Sequence, residues 1–237
     1  MEPLARFEEV KIPLIEPVHG LEAVSGVLGI PEWWPTGSRV SIVLAHGPTG
    51  TQDEPLLVSL QQALTERKYL TLRFNFPFAE AAKKRPDPFP VLERTLRHAI
   101  AMLGRDPTAA PAHLFIGGRG IGGRVAANLA TSQVRVDGLF FLGFPLHPPG
   151  RPEELRVEKL FRIVSPMLFV QGTRDRQCEI PLLRKTLLRV GAPTSLHVIE
   201  EADQSFKVPR KSGRTDADVQ REVIATLDAW IGRVLGA

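Results

Sequence analysis

Apolar residues fall in short runs of strand length that alternate with stretches of helical spacing. "FEEVKIPLI" and "AVSGVLGIP" predict two opening strands, and "RVSIVLAHG" predicts a third, buried and ending in a glycine turn. "EPLLVSLQQALTERK" has helical apolar spacing and stops before "YLTLRFNFP", the next strand. "FPVLERTLRHAIAMLG" predicts an amphipathic helix with Gly104 as its stop. "AHLFIGG" predicts a buried strand, followed by "IGGRVAANLA", a helix rich in small residues. "VDGLFFLGFPL", "PMLFVQG" and "SLHVIE" are further strands; "EIPLLRKTLLRVG" and "DADVQREVIATLDAWIGRVLG" are helices. No internal repeat or low-complexity linker interrupts this order.

Near-continuous Val, Ile, Leu and Phe strands alternating with helices predict an α/β fold, a mostly parallel sheet with helices on both faces. One domain over residues 1–237 is expected. Ligands of such sheets bind outside the carboxyl ends of the strands. Those ends are His46-Gly47, Asn75 to Pro77, Gly118 to Gly120, Phe144 to His147, Gly172 to Asp175 and Glu200 to Gln204, and they should converge on one crevice.

Composition narrows the class. A hydrophobic fraction of 43% and a charged fraction of 24% over 237 residues are those of a globular protein with a full core. The single cysteine, Cys178, excludes an internal disulfide and fits a reducing, cytoplasmic setting. "MEPLARFEEVKIPLIEP" has early acids and no apolar h-region, so no signal peptide is expected. No run reaches the roughly 18 apolar residues of a membrane-spanning helix. The net charge of +4 is spread along the chain and argues against nucleic acid as a partner. "KVPRKSGR" and "KKR" read as solvated loop ends or as docking points for an acidic partner. Trp33 and Trp34, in the turn "PEWWPTG", read as an interface or as packing under the sheet edge.

The chemistry centres on "FIGGRGIGGRVAANLA". Gly118, Gly120 and Gly123 spell G-x-G-x-x-G, the dinucleotide fingerprint. That reading requires the first strand of a βαβ unit and an acid closing the next strand. Here the motif follows a fourth or fifth strand, and the next one ends "FLGFPLHPP" without an acid. The same residues also fit a G-x-S-x-G nucleophile elbow whose serine has become Gly120. Gly118 and Gly122 occupy the two places where a Cβ would clash in the tight turn. Asp175 follows a later strand, as a triad acid would. "VIEEADQSF" supplies the histidine loop, but with Gln204. "VLAHGPTG" supplies an oxyanion loop. No cofactor or metal is implied.

With these segments together, the chain resembles the small α/β-hydrolases of the dienelactone-hydrolase clan. It is most similar to the branch with a G-G-R-S-M-G-G-R elbow, which includes the hydrolase-like subunit of the non-specific-lethal acetyltransferase complex and short bacterial relatives. "LAHG", "RFNFPFAEAAKKRPDP", "GFPLHPPGRPEELRVEKL", "QGTRD" and "ADQSFKVPRKSGRT" carry the resemblance in order along almost the whole chain. It implies an α/β-hydrolase fold with a minimal cap or none. It also implies a triad at position 120, Asp175 and position 204, of which only the acid is present.

Glycine has no nucleophile to offer, and glutamine does not titrate. Of the oxyanion donors the fold implies, one is the N–H of Ile121. The other falls at Pro48, which has no N–H, unless a shifted turn lets Thr49 donate. These changes suggest a non-hydrolytic protein that binds a small ligand or a protein partner. The alternative is a weak or unconventional hydrolase, or another catalyst in the same pocket. For the latter, His147 in "PLHPP" is the candidate base, against a role bracing its loop. Cys178 and Ser205 have weaker cases: a lone cysteine is usually a small buried hydrophobe, and Ser205 lacks an evident base. His46 and Gly47 should orient the oxyanion loop, and Phe76 and Phe144 offer an apolar wall or plain core. The helix starting at Ile121 should aim its first N–H groups at the crevice, open to an anion where Gly120 leaves space. Arg119 and Arg174 flank it.

Overall fold

The computed structural model describes residues 5–132 and 134–236. The first four residues, which begin the segment read for a leader, lie outside the described residues. The strands are β1 (Arg6–Val18), β2 (Leu21–Ile30), β3 (Val40–Ala45), β4 (Leu70–Phe74), β5 (His113–Arg119), β6 (Gly138–Leu142), β7 (Met167–Gly172) and β8 (Thr194–Ile199). The helices are α1 (Pro55–Glu66), α2 (Pro77–Glu80), α3 (Phe89–Leu103), α4 (Ile121–Ala130), α5 (Ile180–Leu187) and α6 (Asp216–Leu235). The sheet runs β1-β2-β4-β3-β5-β6-β7-β8. This is the expected mostly parallel sheet of an α/β-hydrolase fold.

The chain divides into two compact units, one ending at Gly118 and one beginning at Arg119. In the first, β1 and β2 form an antiparallel hairpin, and β2 continues antiparallel onto β4. β3 then pairs in parallel with β4 and with β5. Every residue of β3 is buried, as a strand covered on both faces requires. The apolar stripe of α1 is buried through Leu56, Leu57, Leu60 and Leu64. Pro55 opens that helix, where its missing N–H costs nothing.

In the second unit, β6, β7 and β8 are parallel neighbours. Phe140, Phe141 and Phe169 are fully buried at their centre. Thr215 caps α6 in a capping box with Asp218, and Gly236 ends it in the left-handed conformation. No described helix is long and apolar enough to cross a membrane.

The β6 segment is shorter than its apolar pattern, which runs on to Leu146. The chain leaves the sheet at Gly143, where φ is 67°. Leu146 stays buried beyond the strand, so hydrophobicity there marks core rather than ladder.

Candidate functional site

The second unit holds the positions expected to form the triad. β5 runs through Gly118 and Arg119 and turns sharply into α4 at Gly120. Gly120 has φ 52° and ψ −116°, a conformation that side-chain-bearing residues rarely adopt. Its N–H donates to Leu142 O over 3.0 Å, tying the turn to the end of β6. A Cβ at Gly118 would lie 2.1 Å from Ala45 O in β3, so only glycine lets β5 approach so closely. The strand-to-helix turn thus has elbow geometry, with no side chain at its apex.

Asp175 follows β7 and is 5% exposed. Its Oδ1 accepts the Gln177 backbone N–H at 2.8 Å, and its Oδ2 accepts Gln171 Nε2–H at 2.7 Å. Burial pushes the Asp175 carboxyl above its ordinary range, against these hydrogen bonds, which favour the charged form. Gln171 is fully buried within β7, and its Oε1 accepts the Phe144 N–H at 2.9 Å. One glutamine therefore joins the acid to the loop that follows β6. Its place as a polar residue in the apolar run "MLFVQG" was the available clue to it.

Gln204 lies in the loop after β8, with its side chain largely in solvent. The loop is nonetheless fixed. Asp203 Oδ1 accepts from Ser205 N and Lys207 N at 2.8 and 3.0 Å. Arg119, buried within the elbow, reaches Gln204 O and Ser205 Oγ, each at 3.4 Å. A methyl group built on Gly143 would lie 3.1 Å from Gln204 O and 3.6 Å from Asp175 Oδ2. The backbone of position 204 and the carboxylate of Asp175 are thus brought together beside Gly143. Arg119 sits on the same loop, and Arg174 is exposed.

The other candidates in this unit are structurally occupied. His147 is buried: its Nδ1–H donates to Pro148 O at 2.9 Å, and its Nε2 accepts the Glu179 N–H at 3.3 Å. A carbonyl only accepts and an amide N–H only donates, so both ring nitrogens are engaged, Nδ1 as donor and Nε2 as acceptor. This is the loop-bracing arrangement. Burial, helped by the charge of Asp175, pushes the Cys178 thiol far up, which disfavours the reactive thiolate. Phe144 packs edge-on to Phe141 and Phe169 and is core.

The first unit holds the oxyanion-loop residues. His46 is fully buried; its Nδ1–H donates to Gly47 O at 2.8 Å, and its Nε2 accepts the Phe76 N–H at 3.0 Å. It is the same brace as at His147, here joining the ends of β3 and β4. Phe76 and Phe78 pack edge-on to the His46 ring. Phe76 is fully buried, so what it offers the loop is its backbone N–H rather than an exposed apolar wall. Pro48 is half-buried, and Thr49 is exposed. Further along the same loop, Gln52 N–H donates to Asn75 Oδ1 at 2.7 Å, and Gln52 O accepts Arg73 Nη1–H at 2.9 Å. Arg73, a cation inside the apolar run of β4, is a second positioning residue that periodicity alone does not reveal. A cavity of about 430 Å³ in this unit is lined by Ile30, Trp34, Leu70 and Met102, and by none of the expected site residues. Trp34 donates its indole N–H to Ala109 O, whereas Trp33 is 71% exposed. Among the described residues, no group of acids, histidines and cysteine is placed to hold a metal ion.

The fold and the elbow together define an α/β-hydrolase. Residues 38–232 match the alpha/beta hydrolase domain family, and the chain belongs to it. Its fold is similar to that of a dienelactone hydrolase from Anabaena variabilis, at 18% identity, with a TM-score of 0.74 over 98% of this chain and 99% of that one. It is also similar to an esterase domain from Rhodothermus marinus, at 19% identity, with a TM-score of 0.70 over 96% and 98%. An α/β serine hydrolase without lid from Xanthomonas campestris matches at 16% identity, with a TM-score of 0.68 over 97% and 98%.

Proposed function

We propose that this chain is a non-hydrolytic member of its family, a pseudoenzyme that keeps the hydrolase fold and binds a small ligand or a protein partner. The reading takes residues 1–237 as one cytoplasmic α/β-hydrolase domain of the branch with the G-G-R-S-M-G-G-R elbow. The observation that carries it is Gly120, an elbow apex with nucleophile backbone geometry and no nucleophile. Gln204 supports it, because glutamine cannot accept and return a proton near neutral pH. Asp175, the acid expected after β7, is tied by its two carboxylate oxygens to Gln171 and to the Gln177 backbone. The engaged nitrogens of His147 argue against that residue as a substitute base.

Two measurements test the reading. A panel of chromogenic esters is expected to show no turnover above the uncatalysed rate. A fluorophosphonate probe, which labels only an activated nucleophile, is expected to leave the protein unlabelled. Robust ester turnover that disappears in Asp175→Ala would overturn the proposal and establish an unconventional hydrolase.

A further inference from the structure

The sheet ends in two edges of opposite character. The β1 edge carries Arg6, Glu8, Glu9, Lys11 and Glu16 together with Pro13 and Pro17, the devices that stop edge-to-edge pairing. The β8 edge, "TSLHVI", carries neither a formal charge nor a proline. Met167 N–H donates to Pro193 O, and Thr173 N–H donates to Ile199 O. Residues 193, 195, 197 and 199 therefore turn their backbone groups toward β7. Thr194, Leu196 and Val198 turn theirs away, and among the described residues these have no partner.

We propose that β8 is a homodimer interface, pairing antiparallel with β8 of a second copy about a two-fold axis at Leu196. The side chains that meet across this register, an uncharged set with a hydroxyl facing an imidazole, suit a second copy. With Leu196 opposite itself and Thr194 opposite Val198, every outward N–H meets an outward C=O, and all six groups of each copy are satisfied. Shifting the axis to residue 195 or 197 leaves part of the ladder unpaired. The same register sets Ser195 opposite His197 in the close, non-hydrogen-bonded positions. His197 Nε2 is bonded to Glu222 at 2.7 Å, and neither its Nδ1 nor the Ser195 hydroxyl has a partner among the described residues. The hydroxyl of each copy can donate to the imidazole of the other. On the opposite face, half-buried Leu196 meets itself, and Val198 meets Thr194. Within the paired strands no like charges fall opposite one another, since Glu200 falls opposite Ala192 of the second copy.

The test uses the whole chain in light scattering and sedimentation across a range of concentrations. The expected mass is about 52 kDa, twice the 26.2 kDa of the chain. Leu196→Lys and Leu196→Glu each place like charges face to face on the two-fold. Each variant alone should run as a monomer, and mixing them one to one should restore the dimer. Only a residue that meets itself gives that rescue, and the rescue also shows that both variants fold. Amide exchange at Thr194, Leu196 and Val198 should slow as concentration rises. A wild-type protein that stays monomeric, a dimer unaffected by Leu196→Lys, or a failure of the mixture to recover the dimer would each overturn the proposal.

Discussion

Gln171 and Asp175 are bonded side chain to side chain over 2.7 Å, both buried at the end of β7. The Asp175 carboxyl is raised above its ordinary value of 3.8, chiefly by desolvation. The native state therefore binds this proton more tightly than the unfolded chain does. The corresponding stability is fully present below the ordinary value and is lost as pH rises through the raised one. Urea unfolding of the wild type and Asp175→Asn should show this directly. The wild type should lose stability relative to the variant as pH rises from about 4 toward neutrality. A constant difference between the two proteins would show that Asp175 does not titrate differently in the folded state.

Restoring the missing groups should restore chemistry. Gly120→Ser with Gln204→His is expected to hydrolyse a chromogenic ester, whereas each single change stays silent. Adding Pro48→Ala, which returns a backbone N–H, should raise the rate by about a hundredfold. Serine at φ 52° also costs about 1–3 kcal/mol of stability, readable as a lower unfolding midpoint. A double variant that folds but has no activity would mean that the pocket itself has been remodelled.

Gly118→Ala should be poorly tolerated. The added methyl would sit 2.1 Å from the carbonyl oxygen of Ala45, a backbone atom in the buried strand β3. A loss of about 3 kcal/mol is expected in denaturant unfolding. Gly191→Ala is the control, since a methyl there meets nothing within 4 Å. It should change stability by less than about 0.5 kcal/mol.

Cys178 should be inert in the native protein. It is 1% exposed, and burial pushes its thiol upward. A thiol-specific reagent at neutral pH should modify it only after denaturant unfolds the chain. Rapid labelling of the native protein would place the residue in an open, electropositive setting, contrary to its burial.

Helix α4 could be read from the sequence to the residue, because glycines and small side chains mark its start and its packed face. Helix α3 was equally plain, with Gly104 as its C-cap. The four-residue helix α2 was not, because a single turn opened by Pro77 is too short to show any period. The second strand of the opening hairpin was read, but not its antiparallel contact with β4, since pairing depends on register rather than on pattern. The site divides in the same way. The glycines of the elbow announce themselves by spacing. Gln171 and Arg73 act through partners that only the fold brings within reach, so the sequence shows them merely as polar residues in apolar strands.

The elbow's geometry also bears on how such a chain can evolve. A serine at this apex would hold its backbone under strain that the rest of the fold must offset. Glycine at position 120 makes the same turn without that penalty, so on the function proposed above the missing nucleophile would leave a more tolerant scaffold. If no reaction depended on them, positions 48 and 204 would be free to drift, and each further change would make return harder. Reversion would then require several coordinated substitutions, the first of which brings strain and no activity. The turn would then persist as architecture and act as a ratchet against the chemistry it resembles.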